Sequence, residues 1–138
     1  GGHMSTILFI CFINLEFGSC IWLLYANELK IFTAIRDVRD CEKMQKDLNN
    51  FTKWCYKNSL LLNIGKCKVM RFHRTSQLIL FNYSLNNSFL EPTTLFKDLG
   101  IFFDPTLSFK SHYNFICNKA FKLLGFLKKN LSITKDSL

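Results

Sequence analysis

Between Val38 and Cys55 the apolar residues Val38, Cys41, Met44, Leu48, Phe51 and Cys55 recur at spacings of three and four, the period of an α-helix with one buried face. Arg39, Glu42, Lys43, Lys46, Asp47, Asn50 and Lys53 fall on the opposite face. The pattern therefore predicts an amphipathic helix from Arg36 to Lys57, with Asp37 or Asp40 able to cap its start. Cys41, Leu48 and Cys55 repeat every seven residues and face the core as small hydrophobes.

A helix with one apolar stripe needs an apolar surface to lie on, and the rest of the chain reads largely as short strands. "IWLLYANELKIF" (21–32) is two apolar runs around a polar turn, a hairpin that presents Asn27 and Glu28. "LLLNIGKCKVMRF" (60–72) alternates in its second half, with Gly65 as a break. "LILFNYSLNNSFL" (78–90) carries Asn86-Asn87 between apolar runs, a tight turn because Asn tolerates positive φ. "LGIFFD" (99–104) is a further strand, closed by Asp104-Pro105. A second helix is expected from about Ser108 to Leu131, with Tyr113, Ile116, Cys117, Ala120, Leu124 and Leu127 packing on the sheet. The predicted fold class is α+β: a small antiparallel sheet with hairpins packed against two amphipathic helices.

The chain has 138 residues, enough for one domain that buries about two thirds of its unfolded surface. Gly1 to His3 read as a cloning scar, leaving residues 4–138 as a single domain. Fifteen Phe residues predict an aromatic-rich core. The apolar stretch from Ser5 to Cys20 lacks a basic flank and is interrupted by Asn14 and Glu16. That argues against a signal peptide or a membrane anchor and for an intracellular protein of nucleus or cytoplasm. Six cysteines without a CxxC pair fit reduced thiols. Four Asn-x-Ser/Thr sequons, at Asn50, Asn82, Asn86 and Asn130, would matter only in a secreted chain.

Five stretches in one order, "LFICFIN" (8–14), "LLYANELKIF" (23–32), "WCYKNSLLLNIGKCKVMRF" (54–72), "FKDLGIFFDPTLSFKSH" (96–112) and "NKAFKLLGFLKKN" (118–130), resemble the reverse transcriptase of non-LTR, LINE- or jockey-like retrotransposons. The resemblance covers the second half of the palm and the start of the thumb. In that family the hairpin carries Tyr-Ala-Asp-Asp, whose aspartates hold Mg²⁺ for nucleotidyl transfer. Here the same place reads Tyr25-Ala26-Asn27-Glu28. Asn27 offers a neutral carbonyl where hard Mg²⁺ selects a carboxylate, and Glu28 carries its carboxylate one methylene further out. The family's first catalytic aspartate, its fingers and its template grip would all lie before Met4. The resemblance thus implies a catalytically inactive palm fragment with no catalytic residue, metal or cofactor. Asn27 and Glu28 read as an ordinary polar turn in preference to residual metal binding by Glu28 with Asp98 or Asp104, and zinc held by Cys67, Cys117, His73 and His112 matches no metal-ligand spacing.

A net charge of +8 favours polyanionic partners. Basic residues gather in two places: Lys66, Lys68, Arg71 and Arg74 after the first helix, and Lys119, Lys122, Lys128 and Lys129 on the last helix, which in the family begins the thumb. Phe72, Tyr83, Phe109 and Tyr113 could stack on bases if exposed. The chain is expected to bind nucleic acid, with a protein-interaction module as the alternative. A severed palm also leaves an open edge and apolar surface, which predicts a homodimer or a tight protein complex through the segment Ile7 to Phe17 or the hairpin, without membrane contact.

Overall fold

A computed structural model describes residues 18, 20–25, 28–74 and 78–135. They belong to two compact units, one drawn from residues 1–69 and 77–91, the other from 70–76 and 92–138. The segment Ile7 to Phe17 and the connection Ala26-Asn27 lie outside the described residues.

In the first unit β1 (Ile21–Tyr25) and β2 (Glu28–Phe32) form the expected hairpin, paired antiparallel with Ile21 opposite Phe32 and Tyr25 opposite Glu28. Strand side chains alternate between faces. Trp22 accordingly turns inward, its ring 5.3 Å from that of Phe51, while Ile21, Leu23 and Tyr25 are exposed.

α1 (Val38–Lys57) begins two residues later than the sequence pattern implied. Asp37 is its cap: its backbone is extended and its carboxylate accepts from the Asp40 N–H at 3.1 Å. Asp40 in turn accepts from the Arg36 N–H at 3.1 Å and from Lys43 Nζ at 3.2 Å. Those donors, Arg36 first, hold the Asp40 carboxyl below the ordinary carboxylate range. Cys41, Leu48, Phe51 and Cys55 are buried as the stripe requires, and burial raises the Cys55 thiol to about 11.

Asp47 departs from the sequence reading. Assigned to the polar face, it is only 6 % exposed. The Cys20 thiol hydrogen-bonds to it, and a Cβ at Gly18 would overlap its carboxylate. Both neighbours are remote in sequence, so helical periodicity carries no trace of them. Burial, and then the Asp47 charge, push the Cys20 thiol up to about 12.

β4 (Ser84–Leu85) and β5 (Ser88–Phe89) pair antiparallel around Asn86 and Asn87, at φ 49° and 62°. Two consecutive left-handed residues are what a two-residue hairpin turn needs, and Asn supplies them at low steric cost. Gln45 on α1 fixes this hairpin: its Nε2 donates to Ser84 O and its Oε1 accepts from Ser84 N, both at 2.9 Å. Cys41, Leu48, Tyr83 and Leu85 form the core cluster, flanked by Ile31, Met44, Leu62, Val69 and Phe81.

The strand expected over residues 60–72 is mostly absent. A 3-10 turn occupies Ile64–Lys66, and only β3 (Lys68–Val69) pairs, with β6 (Glu91–Pro92).

In the second unit β7 (Phe96–Asp98) and β8 (Ile101–Phe103) form another antiparallel hairpin. Leu99 and Gly100, read from the sequence as the start of a strand, are its turn, at φ 46° and 90°. Leu is a poor left-handed residue, which hid the turn. After β8, Asp104 organises the approach to α2 (Lys110–Lys135). Its carboxylate accepts from Thr106 N (3.0 Å), Thr106 Oγ1 (2.6 Å), Ser108 N (3.2 Å), Ser108 Oγ (2.8 Å) and Phe109 N (3.1 Å). These donors, led by Thr106, hold the Asp104 carboxyl well below its ordinary range.

The α+β class stands, built among the described residues from two helices and two-stranded sheets rather than from one continuous sheet. The environment of α2 differs from expectation. Its first turns meet β8, with the Phe115 and Phe102 rings 5.3 Å apart, but Tyr113, Ile116, Leu124 and Leu127 are 47–64 % exposed rather than packed on a sheet.

Candidate nucleic-acid interface

The eight basic residues singled out in the sequence fall into different settings. Lys66 is exposed at the end of the 3-10 turn. Lys68 is bonded to the Glu91 carboxylate and lowers that carboxyl's pKa. It therefore meets a polyanion only by giving up an ion pair. Arg74 is exposed and Arg71 half-buried. Lys66 and Lys68 belong to the first unit, Arg71 and Arg74 to the second.

The four lysines of α2 are all exposed. At about 100° per residue, Lys119, Lys122 and Lys129 lie within about 80° of arc, while Lys128 points away from them. Phe115 and Phe126 fall inside the same arc, and Phe126 is 63 % exposed. A further cation that sequence reasoning missed joins them. Lys97 on β7 places its Nζ 5.0 Å from the centre of the Phe115 ring and 5.4 Å from that of Phe102. Phe115 lies one turn before Lys119, so Lys97 adds to that side of the helix. Only the hairpin that turns at Leu99-Gly100 and sets Lys97 opposite Phe102 brings Lys97 there, and that turn gave no clear signal.

No Asp or Glu occurs between Lys110 and Lys135, so the helix itself carries no like charge that would repel a polyanion. Phe126 supplies a ring face on which an unpaired base can stack. Of the other aromatics considered for stacking, Phe72 and Tyr113 are exposed. Tyr83 is 4 % exposed and belongs to the core, and Phe109 packs against Phe103 at 5.7 Å between ring centres.

At the hairpin, Tyr25 and Glu28 are exposed and face each other across two connecting residues. Asp104, weighed as a partner for Glu28 in metal binding, directs its carboxylate oxygens at loop donors. Among the described residues no three His, Cys, Asp or Glu side chains come together as a metal site. Among the same residues no helix is long and apolar enough to cross a membrane. Cys20, Cys41, Cys55, Cys67 and Cys117 carry no disulfide; Cys41 and Cys55 are buried and Cys117 is exposed.

No family model matches this chain, and neither a curated protein nor a solved structure matches it.

Proposed function

We propose that this chain is a catalytically inactive, domesticated fragment of a non-LTR retrotransposon reverse transcriptase that works as a small basic nucleic-acid-binding module in the nucleus or cytoplasm. The observation that carries the binding reading is the side of α2 on which Lys97, Lys119, Lys122 and Lys129 accompany Phe115 and the exposed Phe126. Lysines at these positions neutralise phosphates, and the rings favour a strand whose bases can be reached. The ancestry rests on the five ordered stretches and on a hairpin that keeps Tyr25 while replacing the family's paired aspartates with Asn27 and Glu28. Without those aspartates the chain is expected to bind a nucleic acid and not extend it.

Fluorescence anisotropy of labelled single-stranded RNA, DNA duplex and RNA–DNA hybrid across a salt series tests this. Low-micromolar or tighter binding that persists at about 150 mM salt, prefers one of the three, and is lost in K119E/K122E supports the module. Binding that disappears with salt, or ignores the charge reversal, rejects it.

A second reading, a protein-interaction module, draws on the outward apolar side chains of β1 and β2: Ile21, Leu23, Tyr25 and Phe32 are 39–64 % exposed on one hairpin. Under that reading I21K/L23K abolishes partner binding and the lysine variants do not.

A further inference from the structure

α2 carries a second pattern, on the side away from Lys119, Lys122 and Lys129. Tyr113, Cys117, Ala120, Leu124, Leu127 and Leu131 are spaced 4, 3, 4, 3 and 4, the seam of a coiled coil. The seam runs about 27 Å along the helix at 1.5 Å per residue. All six positions are exposed, and Ile116, Phe121 and Leu123 widen the stripe on either flank. The helix's own hairpin does not cover it. Phe115, which meets β8, projects from the opposite side, together with Lys119 and Lys122.

We infer that this stripe is the docking surface for α2 of a second copy of the chain, with the two helices antiparallel. Three observations select that occupant and that direction. The first is area. Tyr113, Ile116, Phe121, Leu123, Leu124, Leu127 and Leu131 are 47–69 % exposed. At about 100 Å² each they offer about 700 Å² per copy, close to the roughly 800 Å² per partner that a stable interface buries. The second is side-chain size. An antiparallel pair centred on Lys122 sets Tyr113 against Leu131, Cys117 against Leu127 and Ala120 against Leu124 of the other copy, so a small residue meets a large one in the two inner layers. A parallel pair would stack Ala120 on Ala120 and Cys117 on Cys117 and leave voids. The third is charge. Lys119, Lys122 and Lys129 lie about 120–180° round the helix from the seam, so association brings none of these three into the interface; Lys128, about 60° from the seam, stands at its rim, where a lysine keeps its ammonium in water, and antiparallel helix dipoles attract. The resulting dimer displays a basic face on each outer side.

This inference stands apart from nucleic-acid binding, and its test uses none. Sedimentation velocity of the full chain at about 1–100 µM is expected to give twice the 16.2 kDa chain mass, falling to the monomer mass in L124E/L127E. Trp22 and Trp54 both lie in the other unit, so unchanged tryptophan emission shows that the variant still folds there.

Direction is read separately by mild oxidation with oxidised glutathione, which couples two thiols as a disulfide while reducing the glutathione disulfide. L127C sets its new thiol across from Cys117 of the other copy and is expected to cross-link. The native chain is not, because its two Cys117 residues would lie about 15 Å apart along the axis. A monomer at every concentration, a dimer unaffected by L124E/L127E, or a native chain that cross-links through Cys117, losing the link in C117A, overturns the inference. Failure to bind nucleic acid leaves these readouts untouched.

Discussion

The pairing of Gln45 with Ser84 allows a quantitative test of how α1 holds the β4–β5 hairpin. The Gln45 amide serves both backbone groups of Ser84 at 2.9 Å, the way a neighbouring strand would, and both bonds are partly buried. Each such bond contributes about 0.5–1.5 kcal/mol net, and truncation leaves two backbone groups to be rehydrated at the edge of the core, so Gln45→Ala is expected to cost about 2 kcal/mol. Helix propensity cannot produce that loss, since Ala is the better helix former by a few tenths of a kcal/mol. Gln45→Glu is the sharper variant. Its propensity is close to that of Gln, and it keeps the acceptor for Ser84 N. It sets a carboxylate oxygen against Ser84 O, however, so its cost should equal or exceed that of the Ala variant. Urea denaturation followed by tryptophan fluorescence reads both, because Trp22 and Trp54 lie in the unit that contains α1. The midpoint should fall with little change in slope, and the melting temperature by about 5–10 °C. If both variants lie within about 0.5 kcal/mol of the parent, the amide is not what fixes the hairpin.

Other perturbations have comparably definite outcomes. Leu99→Asn should stabilise the β7–β8 hairpin by about 0.5–1 kcal/mol by removing a branched side chain from a left-handed turn position, whereas Gly100→Ala should destabilise it; thermal melts of the two variants should move in opposite directions. Asp104→Asn should loosen the loop before α2, read as faster amide exchange at Thr106, Ser108 and Phe109. Because the folded Asp104 carboxyl is depressed, its contribution is present above its unfolded pKa and is lost as pH falls through the folded value. The same exchange should therefore accelerate in strong acid in the parent and change less in the variant. Gly18→Ala should cost about 1–3 kcal/mol, since φ is 61° there and the added Cβ meets the buried Asp47 carboxylate; an unchanged urea midpoint would refute that contact.

What could be read from the sequence depended on how local each cause was. α1 was legible because its stripe, its cap at Asp37 and its seven-residue repeat lie within one segment. The hairpin at Ser84–Phe89 was legible because Asn86-Asn87 states its turn chemistry in two adjacent residues. The turn at Leu99-Gly100 uses the same geometry with a residue that resists it, so the apolar pattern read as one strand. Asp47 and Gln45 act on partners more than twenty residues away, and no period encodes that. For α2 the periodicity was read correctly and its meaning was not. An apolar stripe at spacings of three and four looks the same whether or not the chain's own sheet covers it, and only its exposure shows that the sheet does not. Of the candidate interface, the α2 lysines were visible as a cluster. Their division between two sides of the helix required the helical register, and the recruitment of Lys97 required the hairpin.

The most direct measurement of the proposed function is the dependence of nucleic-acid affinity on salt, compared between the parent and K119Q/K122Q. Each lysine that neutralises a phosphate releases a counterion, so the slope of log K against log salt should become shallower by about one for each residue removed, and affinity should fall alike for all sequences. A slope shallower by about two in the double variant would place the α2 face on the phosphate backbone. An unchanged slope and affinity would show that the charge of α2 does not contact nucleic acid, and would contradict the proposed binding face.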